Sequence, residues 1–173
     1  MIILITGATH TGKTALAQRL MEKYKIPYLS IDHLKMGLIR SGMANLTPND
    51  DEKLTAYLWP IVREIIKTAI ENEQNLIVEG CYIPIQWHDD FEDDRRTVEI
   101  RCFCFVMSED YIKNHFDDIK KYANVVEKRL DDSNLTKELL LCENAKYARF
   151  CREAVCIPIV ISDNYSSDMN IRL

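Results

Sequence analysis

The sequence predicts an α/β fold: three layers, with helices on both faces of a five-stranded parallel sheet. Three observations carry that expectation. Short apolar, β-branched runs alternate with amphipathic stretches of helical period along the whole chain. Those runs are apolar at successive positions, as in strands covered on both faces. Between the first run and the first amphipathic stretch lies a glycine-bearing turn that can bind an anion.

Residues 2–6 form the first strand-like run, and from Lys13 the period turns helical, with Leu16, Leu20 and Tyr24 four apart. Pro27 punctuates, residues 28–30 read as a second strand, and a helix follows over about 32–41 with Gly42 as its stop. A long helix is predicted over about 53–72. Its stripe is Leu54, Leu58, Ile61, Ile65 and Ala69, and Pro60 is expected to kink or divide it. Residues 75–78 read as the third strand and 98–107 as the fourth, with Ser108 as a helix cap. The stretch HDDFEDDRR at 88–96 reads as charged surface. Residues 109–154 are helical with a break at 131–134, and 157–162 form the fifth strand.

At 173 residues the chain is expected to be a single domain. Composition, 47% hydrophobic and 28% charged, is that of a globular protein. A net charge of −5 argues against a nucleic-acid partner, and no apolar run has the roughly 18–20 residues needed to span a bilayer. The six cysteines show no C-x-x-C pair, and no secretory leader precedes the first strand. Reduced thiols and a cytoplasmic location are therefore expected.

The chemistry concentrates in Gly7-Ala8-Thr9-His10-Thr11-Gly12-Lys13-Thr14, a complete match to G-x-x-x-x-G-K-[ST]. Gly7 and Gly12 permit backbone conformations closed to other residues, so the amides of Thr9, His10, Thr11 and Gly12 can converge on one hollow. Lys13 can reach the β- and γ-phosphates of a nucleoside triphosphate, and the Thr14 hydroxyl can ligate Mg²⁺. ATP with magnesium is the expected ligand. No N-K-x-D element of a GTPase is present, and no strand ends in the Asp-Glu pair of mechanical ATPases.

Beyond the loop, the order of elements resembles the small P-loop kinases: adenylate kinase-like nucleoside monophosphate kinases, shikimate kinase and chloramphenicol phosphotransferases. LSIDHLKMGLIRSG at 29–42 is similar to their segment carrying an acceptor-site acid and a following basic residue, which implies roles for Asp32, Lys35 and Arg40. NLIVEG at 75–80 is similar to their third strand, with Glu79 where Asp is frequent, toward a magnesium-bound water or an acceptor hydroxyl. VVEKRLDD at 125–132 looks like the start of a lid, with Arg129 facing the transferred phosphoryl group. The resemblance thus implies acceptor-binding helices over about 31–72 and a lid within about 109–150. GCYIPIQW lacks the arginine that monophosphate kinases place after that strand, so an unphosphorylated alcohol fits better. The reading is a kinase acting on a hydroxyl of a small molecule, with Lys13, Asp32 and Arg129 as catalytic residues. Asp32 has a competing role as a helix N-cap. A monophosphate kinase and a slowly hydrolysing nucleotide switch are the alternatives.

Overall fold

The structure, a computed structural model, describes residues 1–48, 50–94, 98–122 and 135–162. Its elements are β1 (Ile2–Gly7), α1 (Lys13–Tyr24), β2 (Tyr28–Ser30), α2 (Ile31–Arg40), α3 (Asp51–Glu71), β3 (Leu76–Glu79), β4 (Ile100–Met107), α4 (Glu109–Tyr122), α5 (Lys137–Glu153) and β5 (Ile157–Ile161). The strands lie in the order β2-β3-β1-β4-β5 and every pairing is parallel, as the apolar runs predict.

Successive β1 side chains serve opposite faces, which divides the core in two. Ile2 and Leu4 pack with Ile31 of α2, Leu54, Leu58, Val62 and Ile66 of α3, and Val78. Ile3 and Ile5 pack with Leu16 and Leu20 of α1, Ile112 and Ile119 of α4, and Leu140 of α5. With β1 in the middle, the turns leaving β1 and β3 open side by side at the carboxyl edge of the sheet. Ligands of open α/β sheets bind at that edge.

Four local expectations are corrected. First, α3 runs through Pro60 as one helix. Ala56 and Pro60 are both exposed, so the carbonyl that loses its amide partner can be hydrated. Second, the buried stripe of that helix is Leu54, Leu58, Val62, Ile66 and Ala69, whereas Ile65 is exposed. Ile61 and Ile65 instead flank a groove beside Tyr24 and Pro27, at the edge of the sheet opposite the carboxyl ends.

Third, the charged stretch after residue 87 is anchored. Phe91 is fully buried and meets Trp59 edge to face at 6.2 Å. Asp90 accepts hydrogen bonds from Trp59 Nε1 (2.7 Å) and Arg63 Nη1 (3.2 Å). The carboxylate thereby satisfies an indole that burial would otherwise leave without a partner. Phe91→Ala is expected to cost about 3–5 kcal/mol, because it removes a large side chain from a packed site. A urea-unfolding midpoint equal to that of the wild type would show that the segment is not part of the core.

Fourth, two cysteines expected as thiols are joined: Cys104 of β4 and Cys151 of α5 form a disulfide, with Cα atoms 5.9 Å apart. Spacing could not reveal it, because 47 residues separate the partners and only the packing of α5 on β4 brings them together. The remaining cysteines, 81, 102, 142 and 156, are free. The cysteines therefore no longer argue for a reducing compartment. Closing a loop of that length stabilises by about 4 kcal/mol in the chain-entropy description. Thiol labelling of the denatured, unreduced protein should find four groups, and reduction should lower the thermal midpoint. Six labelled thiols before reduction would refute the pairing.

Candidate active site at the phosphate loop

β1 delivers the chain into the loop. Gly7 has φ +135°, and a Cβ there would lie 2.2 Å from the Phe105 carbonyl oxygen of β4. Only glycine lets β1 turn this close to its neighbour. Ala8 N donates to Phe105 O (3.0 Å), which fixes the start of the loop to the sheet. His10 (φ 62°) and Gly12 (φ 81°) are both left-handed. Left-handed residues placed in this way turn successive amides toward one side, which makes an anion-binding concavity. The buried Thr11 hydroxyl donates back to Ala8 O (2.7 Å) and holds the curve closed. Gly12 caps α1, so the positive end of that helix adds to the hollow.

Lys13 Nζ donates to Ala8 O (2.7 Å) and so lies along the loop. Thr14 Oγ1 donates to Glu79 Oε1 (3.2 Å), which joins α1 to the end of β3. Glu79 is only 2% exposed. A hydroxyl and a carboxylate side by side at a phosphate loop are an oxygen donor set of the kind magnesium takes together with water and phosphate. The residues present fit that ion. Among the described residues no cluster of three or more His, Cys, Asp or Glu forms a self-sufficient metal site.

The second half of the cleft lies past β2 and β3. Asp32 stands in the first turn of α2, two residues beyond Ser30, the capping residue. The N-cap role is thereby excluded. Its carboxylate instead accepts a hydrogen bond from Lys35 Nζ at 2.6 Å. Lys35 is 11% exposed and also donates to the Tyr82 hydroxyl (3.0 Å), which in turn donates to Asp51 Oδ1 (3.2 Å). Lys35 therefore serves Asp32 and Tyr82. Arg40 is exposed at the last residue of α2, about 12 Å along the helix from Asp32. It is brought to none of the other predicted residues. Arg129 lies outside the described residues.

Cys81 ties the two halves together. Burial pushes its thiol up to about 12, the negative charges of Asp32 and Asp51 push the same way, and Lys13 and Lys35 oppose them. The Cys81 thiol stays protonated and is no nucleophile. Burial also raises the Tyr82 and Tyr147 hydroxyls, so both act as neutral donors.

Five residues of the cleft were missed in the sequence: Asp51, Cys81, Tyr82, Glu143 and Tyr147. Cys81 and Tyr82 directly follow Glu79, so the strand-end rule that found Glu79 could have extended to them. Asp51 opens α3, where an acid reads as helix-dipole complement. α5 contributes the other two. Tyr147 donates to Cys81 O (3.1 Å), and the Glu143 carboxylate accepts from Thr9 N (3.0 Å). Nothing local marks a contact made across 134 residues.

No protein-family model matches the sequence, and no curated protein sequence matches it. Solved structures do. A shikimate kinase from Bacteroides thetaiotaomicron superposes with a TM-score of 0.55 at 14% identity, covering 99% of this chain and 90% of that one. The deoxyadenosine kinase from M. mycoides gives 0.54 at 15% identity, covering 95% and 91%. A gluconokinase from Sinorhizobium meliloti 1021 gives 0.53 at 12% identity, covering 95% and 84%. The chain has the fold of the P-loop kinases.

Proposed function

We propose that this chain is a phosphotransferase that moves the γ-phosphoryl group of ATP to a hydroxyl of a small molecule. One observation carries the reading. A phosphate loop with its Lys-Thr pair stands beside two acids at the carboxyl edge of the sheet: Glu79, at hydrogen-bond distance from the loop's Thr14, and Asp32, two residues beyond Ser30, the register partner of Glu79. The three similar structures are kinases of shikimate, deoxyadenosine and gluconate by name, which supports the same class of reaction here.

In this reading the amides of Gly7, Thr9, His10, Thr11 and Gly12 line the polyphosphate site, and Lys13 neutralises the charge that moves between the β- and γ-phosphates. Thr14 directly, and Glu79 through water, would hold the magnesium ion, which supplies charge neutralisation at the phosphates. Asp32 orients the acceptor hydroxyl and takes its proton as the bond to phosphorus forms. Arg129 is the guanidinium assigned to the transferred group. A lid within 109–150 would keep water from competing with the acceptor, although the α4 and α5 parts of that range are packed on the sheet through Ile112, Ile119 and Leu140.

An unphosphorylated alcohol is favoured over a nucleoside monophosphate. A second phosphate needs a cation to hold it, yet Lys35 is occupied by Asp32 and Tyr82, and Arg40 lies at the far end of α2. The test is ADP release from magnesium ATP across a panel holding shikimate, gluconate, deoxyadenosine, neutral polyols and nucleoside monophosphates. Release that depends on one alcohol supports the proposal. Release stimulated only by a protein would replace it with a nucleotide switch.

A further inference from the structure

The Glu143 carboxylate is hydrogen-bonded to a main-chain amide of the phosphate loop. Its Oε1 accepts from Thr9 N at 3.0 Å, and Thr9 immediately precedes the left-handed His10 that turns the loop amides toward the hollow. The carboxylate is thus an anionic acceptor on a main-chain amide of the loop, beside the left-handed turn at His10 where a phosphate would sit.

The contact is presented by a fixed helix. The buried Asn144 accepts from Met107 N (2.7 Å) and donates to Leu140 O (2.9 Å), which locks α5 to β4 right beside Glu143. One turn on, Tyr147 holds Cys81 O, and a further turn on Cys151 is bonded covalently to Cys104. With the helix backbone held at three successive turns, Glu143 can leave Thr9 only by rotating its own side chain.

We propose that Glu143 is a built-in anionic competitor for the phosphate loop, one that weakens triphosphate binding by occupying a loop amide and by placing a negative charge beside the phosphates. The inference rests on the phosphate-loop reading above and adds to it a residue that acts against affinity. A polyphosphate that enters must either displace this carboxylate from Thr9 or accept a like charge within a few ångströms, in a part-buried site. Lys13 and the helix end favour the phosphates, and Glu143 opposes them. α5 thereby acquires a direct influence on nucleotide affinity.

Glu143→Gln separates the charge from the shape, because the amide oxygen of glutamine can still accept from Thr9 N. Glu138→Gln is the control: it removes the same charge from the exposed first turn of α5. Calorimetric titration of the intact protein and both variants with magnesium AMPPNP is expected to show about tenfold tighter binding for Glu143→Gln, a change of about 1.4 kcal/mol. Glu138→Gln should match the wild type, and thermal midpoints of all three proteins should confirm equal folding. Unchanged or weaker binding by Glu143→Gln, with the wild type binding normally, overturns the inference and leaves the phosphate-loop reading standing. Equal tightening by both variants overturns it too, since the effect would then be diffuse charge. Absence of binding by wild type and variants alike would remove the phosphate-loop reading and this inference with it.

Discussion

Lys13→Ala is expected to lower ATP turnover by at least about a hundredfold, the usual loss when a donor aimed at developing charge is removed, and to weaken binding of the magnesium triphosphate severely. The size follows from how few cationic groups the described residues bring near the loop. Lys13 and Lys35 are the positive groups that act on Cys81, and Lys35 spends its donors on Asp32 and Tyr82. Alanine also deletes the Nζ bond to Ala8 O, but the loop remains held by Thr11 Oγ1 and by Ala8 N on β4. The variant should therefore fold with an unchanged thermal midpoint while its titration with magnesium AMPPNP loses saturable heat. Turnover equal to that of the wild type would remove Lys13 from the site.

Asp32→Asn is the second large effect, and it should separate binding from chemistry. Asparagine keeps the shape and can still accept from Lys35 Nζ, so α2 and the Lys35–Tyr82–Asp51 chain should hold. It cannot take a proton. Magnesium-triphosphate affinity is expected to match the wild type while acceptor-dependent ADP release falls by about 10²–10⁴, the range that general-base catalysis supplies. A variant that transfers phosphate at near-normal rates would reduce Asp32 to a structural partner of Lys35. Lys13 and Asp32 thus fail in different assays, which lets the two halves of the cleft be tested independently.

What the sequence disclosed divides along a physical line. The phosphate loop was legible because its eight residues are contiguous and each fixed position has a local cause: a close approach at Gly7, left-handed backbone at Gly12, a helix end at Lys13. The sheet was legible because β1, β3 and most of β4 are buried and read as apolar runs, and β5 is apolar in sequence although largely exposed. Asp32 and Glu79 were legible because strand ends in such sheets face the ligand edge.

Lys35 was only half read. Its place on α2 followed from the sequence, but its partners depend on Tyr82, which sequence spacing does not bring near. The stripe of α3 was read one position off at Ile61 and Ile65, because an apolar face wider than the core contact allows two phases. Phe91 sat among acids and looked solvated until Trp59 was placed opposite it. Glu143, Tyr147 and the Cys104–Cys151 bond all depend on how α5 lies across β4, and no local pattern encodes that docking.

The central claim is that main-chain amides between Gly7 and Thr14, with the Lys13 ammonium, hold a magnesium-bound triphosphate. Its most direct test is equilibrium titration of the wild-type protein with AMPPNP, once with magnesium and once with the metal chelated. One saturable site per chain is expected, tighter when magnesium is present. No saturable binding of AMPPNP or of any other magnesium-loaded nucleoside triphosphate, by a protein shown to be folded, would contradict it.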